Sequence, residues 1–187
     1  MKNAKTRKLV FSAAALALAF VTSFIKLLDL PMGGSVTLLS MFFISLAGYW
    51  YGPLWGLGSA FVYGVLQFIV EPYILSVPQV LCDYFFAFTA LGLSGLFFKA
   101  KFKLSFGPFV IDRLQVGYLG AVLGRYLFSF LSGWIFFGMY APDTFPSAVV
   151  YSLAYNGAYL GLEAAITIVI VTFIPPFRKA IDIVGRI

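Results

Sequence analysis

From Leu9 to Leu28 the chain runs on with one charged side chain, Lys26. That is the length an α-helix needs to cross a bilayer, about 20 residues. Five more apolar stretches follow it, and glycine and proline mark the gaps between them: PMGG at 31–34, YGP at 51–53, EPY at 71–73, FGP at 106–108, YAPDTFP at 140–146 and IPP at 174–176. We read helices at about 9–29, 37–50, 53–70, 78–98, 112–138 and 147–174. The second is short for a span. Residues that are 61% hydrophobic and 11% charged do not suit a water-soluble fold, where about 25% are charged. A membrane barrel would show short segments that alternate apolar and polar, and these runs are continuous. The sequence therefore predicts an all-α, polytopic membrane protein, with residues 1–187 forming one integral membrane domain. The basic, apolar N-terminus resembles a signal peptide in composition, but its run is long enough to be a retained first helix.

Charge sets the orientation. Lys and Arg gather at Lys2, Lys5, Arg7 and Lys8, at Lys99, Lys101, Lys103 and Arg113, and at Arg178, Lys179 and Arg186. With six spans these three clusters share one side. The opposite loops, 30–36, 71–77 and 139–146, hold Glu71 and Asp143 and no basic residue. Cytoplasmic loops of membrane proteins carry the excess of Lys and Arg. Both termini are thus expected in the cytoplasm, in a multi-pass protein of the cell membrane. The net charge of +6 is explained by topology without nucleic acid.

Absences narrow the chemistry. The chain has one cysteine and no histidine, so disulfide frameworks, histidine-based triads and HExxH metal sites drop out. It has no GxxxxGK[ST] loop and so no P-loop ATPase of its own; if the chain moves a ligand, ATP would be used by partner subunits. No enzyme activity, metal or cofactor is expected of this chain.

Small residues recur at a spacing of four. They include Ala13 and Ala17, Ala15 and Ala19, Gly52 and Gly56, Gly120 and Gly124, and Gly157 and Gly161. Such pairs let helix backbones approach closely in lipid. The glycines read as packing within the bundle. The alanines of helix 1 read either as packing or as a docking face for another membrane subunit.

Ionisable residues inside spans are costly and often functional. Arg125 and Glu163 lie at matching depths, roughly 17–20 Å from the inner ends of helices 5 and 6, which predicts a structural ion pair, the alternative being that one of them faces a ligand or moves. Asp83 has no such partner. The residues near it in depth are Tyr84, Ser129, Phe137, Tyr140, Tyr151, Tyr155 and Asn156, all toward the outer ends of their helices, where loop 31–37 meets them. Mostly apolar walls with a few polar groups describe a small-molecule site. A carboxylate among aromatic faces suits a flat, nitrogen-rich or cationic ligand. Each tyrosine taken singly also fits an interfacial aromatic belt.

The order GGSVTLLSM, YGPLWGLGSAFVYGVLQF, QVLCDYFFAFTALGLSGL, GRYLFSFLSGWIFFGMYAP and VYSLAYNGAYL resembles the thiamine-specific S-components of energy-coupling factor (ECF) transporters, over about residues 10–175. The resemblance implies a six-helix subunit that captures its vitamin from outside. It also implies partners: a membrane-embedded coupling subunit and two ATPase subunits, reached through small residues of helix 1, here Ala13, Ala15, Ala17 and Ala19. The family's ligand contacts fall on Asp83, Tyr84, Gly133, Tyr151 and Asn156. Ser129 stands where a histidine is common and Phe137 where some members have tryptophan. Loop 31–36 lacks a tryptophan that some members carry. The same architecture with another ligand, such as a thiamine-precursor pyrimidine, and an autonomous secondary carrier are the alternatives.

Overall fold

A computed structural model describes residues 4–106 and 109–186. Lys2, Gly107 and Pro108 lie outside the described residues. Helix α1 spans Ala4–Ser23, α2 Ser40–Tyr51, α3 Pro53–Val70, α4 Val77–Phe97, α5 Arg113–Phe136, α6 Ala148–Phe173 and α7 Pro175–Arg186. Two antiparallel hairpins interrupt them. β1 (Lys26–Asp29) pairs with β2 (Ser35–Thr37), and β3 (Lys103–Phe106) pairs with β4 (Phe109–Asp112). Five of the helices, α1, α3, α4, α5 and α6, are long and apolar enough to cross a membrane.

Local chemistry explains most of the boundaries. The Thr22 and Ser23 hydroxyls turn back on the Leu18 and Phe20 carbonyls, each at 2.7 Å, and α1 stops there. The expected helix 9–29 is therefore cut short. Residues 24–29 leave the helix and supply strand β1, whose register places Asp29 opposite Ser35. Ser76 caps α4 and Ser147 caps α6. Asp112 and Gln115 form a reciprocal capping box on α5. Pro53 and Pro175 sit in the first turn of α3 and α7, where a missing N–H costs nothing. Pro175 thus starts a further helix instead of ending the structure. Trp50 donates to the Ile181 carbonyl at 3.0 Å and Tyr49 to Asp182 at 2.9 Å, which fastens α7 to α2.

Helix α2 begins three residues later than expected, after Leu39 turns left-handed at φ 65°. Its 12 residues rise about 18 Å, less than a hydrocarbon core of about 30 Å. Nine of the 12 are buried, so α2 is a core helix wrapped by others and need not match the bilayer. Close packing against α3 and α4 depends on glycine. A Cβ on Gly92 would collide with the backbone of Gly56 and Leu57. Gly161, by contrast, has open space beside it, so the Gly157 and Gly161 pair makes no equivalent close contact.

The four alanines of α1 divide. Ala15 and Ala19 are buried at 2% and 0% exposure, whereas Ala13 and Ala17 are exposed. A helix turns about 200° in two residues, so alternate alanines cannot share a face. The stripe expected either to pack or to dock therefore splits, and of the four only Ala13 and Ala17 stay on the outer face. Ala15 and Ala19 pack inside.

Candidate ligand cavity

Helix α4 is not uniform. Leu81–Phe86 adopts a wider π-helical turn, a feature frequent at functional sites, and it carries Asp83 and Tyr84. Asp83 accepts from the Gln79 side chain at 2.6 Å. The same Gln79 donates to the Tyr73 carbonyl at 3.1 Å and accepts from the Leu75 amide at 3.0 Å. Tyr84 donates to the Glu71 carbonyl and accepts from the Tyr73 amide, both at 2.8 Å. The loop after α3 is therefore tied to the acidic turn of α4. The i,i+4 pairing of Gln79 with Asp83 on an apolar helix was a readable signal for Gln79.

Opposite Asp83, Ser129 and Gly133 lie one turn apart on α5. Gly133 leaves room for α6: a Cβ there would collide with the Ser152 hydroxyl and press on Asn156. Asn156 is oriented by its neighbours. It donates to the Ser152 carbonyl and accepts from the Tyr159 hydroxyl, each at 3.0 Å. Phe137 faces Tyr73 with ring centroids 5.5 Å apart, and Tyr151 meets Tyr155 at 5.8 Å. Tyr140 packs behind Phe137 and does not line the cavity.

These elements enclose a cavity of about 800 Å³, within the usual range for a small-molecule site. All seven residues Asp83, Tyr84, Ser129, Gly133, Phe137, Tyr151 and Asn156 line it. Sequence reading did not foresee Lys26, Glu71, Gln79 or Tyr159 in its wall. Lys26 reached the site because residues 24–29 form a strand. It bonds Glu71 at 2.7 Å and meets Asp29 at 3.5 Å across the mouth. The hydrogen bond to Glu71 raises the Lys26 pKa above the ordinary lysine value, against the lowering effect of burial.

The loop PMGG covers the mouth. Met32 and Gly33 both have positive φ, 63° and 87°, which turns the chain over the cavity. Tyr155 accepts from the Gly34 amide and donates to the Pro31 carbonyl. Tyr151 reaches the Met32 sulfur at 3.9 Å.

The expected ion pair between Arg125 and Glu163 does not form. Glu163 accepts from the Thr37 amide at 2.9 Å, the Thr37 hydroxyl at 2.8 Å and the Met41 amide at 3.1 Å, with the Ser40 hydroxyl at 3.4 Å. A carboxylate from α6 thus caps the N-terminus of α2, where the helix dipole favours negative charge. Arg125 lies instead over the Phe88 ring, 4.2 Å from its centroid. Depth along two helices was legible, but the direction each side chain faces was not.

A multi-helical membrane protein with a mouth-covered cavity, walled by rings and a carboxylate, has the architecture of a small-molecule membrane transporter. The chain matches the thiamine transporter protein family (Thia_YuaJ) over residues 9–182, and it belongs to that family. It is 33% identical to the thiamine transporter ThiT of Bacillus subtilis over 156 residues, 81% of this chain and 79% of that protein. It is 29% identical to the thiamine transporter ThiT of Lacticaseibacillus paracasei over 168 residues, 87% of this chain and 81% of that protein. A solved structure of ThiT from Listeria monocytogenes shares the fold, with a TM-score of 0.74 at 23% identity, covering 93% of this chain and 98% of that one.

Proposed function

We propose that this chain captures thiamine from outside the cell, as the substrate-binding S-component of an ECF transporter. The observation that carries the reading is the convergence of Asp83 with the rings of Tyr84, Phe137 and Tyr151 on one cavity in a member of the thiamine transporter family. Thiamine joins an aminopyrimidine to a cationic thiazolium ring. Asp83 accepts from the amino group or balances the cationic ring, and the aromatic faces stack on the flat rings. The Tyr84 hydroxyl is already spent on Glu71 and Tyr73, so Tyr84 contributes its ring. Asn156 and Ser129 fix orientation. The loop 31–34 closes the mouth.

In this reading α1 to α6 lie in the membrane with both termini in the cytoplasm, and the cavity opens outward. The exposed Ala13 and Ala17 face of α1 docks on a membrane-embedded coupling subunit, and two ATPase subunits use the ATP. The role is transport, with no catalytic step. Calorimetric titration of the purified chain in lipid nanodiscs with thiamine tests the binding half. Uptake into vesicles with and without an ECF module and ATP tests the coupling half. Uptake by the lone chain without ATP would favour the secondary-carrier reading.

A further inference from the structure

Two cations line the cavity, and they differ in what they hold. Lys26 is spent on Glu71 and Asp29. Arg125 makes no hydrogen bond or ion pair among the described residues, and its Nε is buried without a partner. Guanidinium carries five N–H donors in its plane. The guanidinium carbon sits 4.2 Å from the Phe88 ring centroid, and a ring offers no hydrogen-bond acceptor of the ordinary kind, so the donors stay unspent. A buried donor without a partner is costly, and a ligand that supplies an acceptor relieves the cost.

Position agrees with this use. Arg125, Ser129 and Gly133 follow one another at intervals of four on α5, and all three line the cavity. Arg125 stands two turns, about 12 Å, below Gly133 along the helix. The surroundings decide the kind of acceptor. Asp29, Glu71 and Asp83 line the same cavity, and Glu163 shares a smaller polar chamber with Arg125. A further anion would meet these carboxylates, so a neutral acceptor fits best.

We propose that Arg125 is a specificity-determining residue that donates to a neutral acceptor lone pair of the ligand, an alcohol oxygen or an aromatic ring nitrogen. Asp83 then selects for donor groups and Arg125 for acceptors within the same cavity. The inference rests on the thiamine reading above, since thiamine carries one alcohol and two pyrimidine nitrogens.

The test is a calorimetric cycle in nanodiscs with wild type and Arg125→Met. The probes are thiamine, its analogue with ethyl in place of hydroxyethyl, and the two analogues with CH in place of one pyrimidine nitrogen. Arg125→Met weakens thiamine about 10- to 100-fold, the loss expected for a charged hydrogen bond. One analogue binds wild type weaker by a comparable factor and is indifferent to the substitution, which identifies the acceptor. A substitution that weakens all four ligands by one factor, or none of them, overturns the proposal. If Arg125→Met does not fold, Arg125→Gln enters the same cycle and is read the same way. Wild type that binds none of the probes overturns the thiamine reading and this inference with it, a result distinct from equal losses in the variant.

Discussion

The Tyr155 hydroxyl accepts a hydrogen bond from the Gly34 amide at 3.0 Å, across 121 positions of sequence. It also donates to the Pro31 carbonyl. One side chain of α6 thereby holds both ends of the turn that covers the cavity. A Cβ on Gly34 would run into the Tyr155 ring.

Tyr155→Phe removes both bonds and keeps the ring. At about 1 kcal/mol for each neutral hydrogen bond, loop closure weakens and thiamine leaves about 5- to 30-fold faster. Filter-binding dissociation with radiolabelled thiamine reads this directly. An unchanged rate would mean that the loop does not retain the ligand.

Glu163→Gln places an amide where a carboxylate caps α2. The amide offers a single acceptor oxygen in place of two, and its N–H groups then face either the Thr37 donors or the Met41 amide, leaving that side unsatisfied. We expect a loss of about 2–4 kcal/mol, as for a buried charged hydrogen-bond network that is broken on one side. Thermal unfolding in detergent measures it. If Arg125 were the true partner of Glu163, Arg125→Met would lower the midpoint by a similar amount. The structure predicts a smaller change.

The mouth should respond weakly to alkaline pH. The Lys26 pKa is raised in the folded chain, first by its hydrogen bond to Glu71. Its contribution is therefore whole below the ordinary lysine value of about 10.4 and fades as pH rises through the higher folded value. Glu71 is well exposed, so screening keeps the effect small. Hydrogen exchange of the β1–β2 hairpin should rise above the base-catalysed trend past about pH 10.4 in wild type. Lys26→Gln should remove that excess.

Substitutions in the two alanine pairs of α1 test the proposed docking role apart from packing. Ala17→Trp places an indole on an exposed face, and the folded chain should bind thiamine normally while ATP-driven uptake through an ECF module fails. Ala15→Trp forces the same indole into a site 2% exposed and should impair folding itself. Normal uptake by Ala17→Trp would remove this face from the docking reading.

The membrane class and most helix positions were legible because hydropathy reports them over long windows. The end of α1 was not. Phe24, Ile25, Leu27 and Leu28 are apolar in a helix or a strand, and six residues are too few for periodicity to decide. Helix α7 was missed because Pro175 and Pro176 read as a stop, although proline is also favoured in a first turn. The cavity residues were found from charge and from resemblance. Gln79 was not, although its spacing of four from Asp83 was readable, and Lys26 was not, since its place depends on the hairpin after α1. Arg125 and Glu163 were paired on depth alone, and depth says nothing about facing direction.

None of the three tryptophans, Trp50, Trp55 and Trp134, lines the cavity, so heat is a better readout than intrinsic fluorescence. The most direct measurement titrates thiamine into the lone wild-type chain and into Asp83→Asn by calorimetry, with folding checked for both. Wild type should bind saturably and the variant about 10-fold or more weakly, because a charge-assisted bond is replaced in a dry site. Equal affinity for wild type and variant, or no heat from folded wild type, would contradict the thiamine reading.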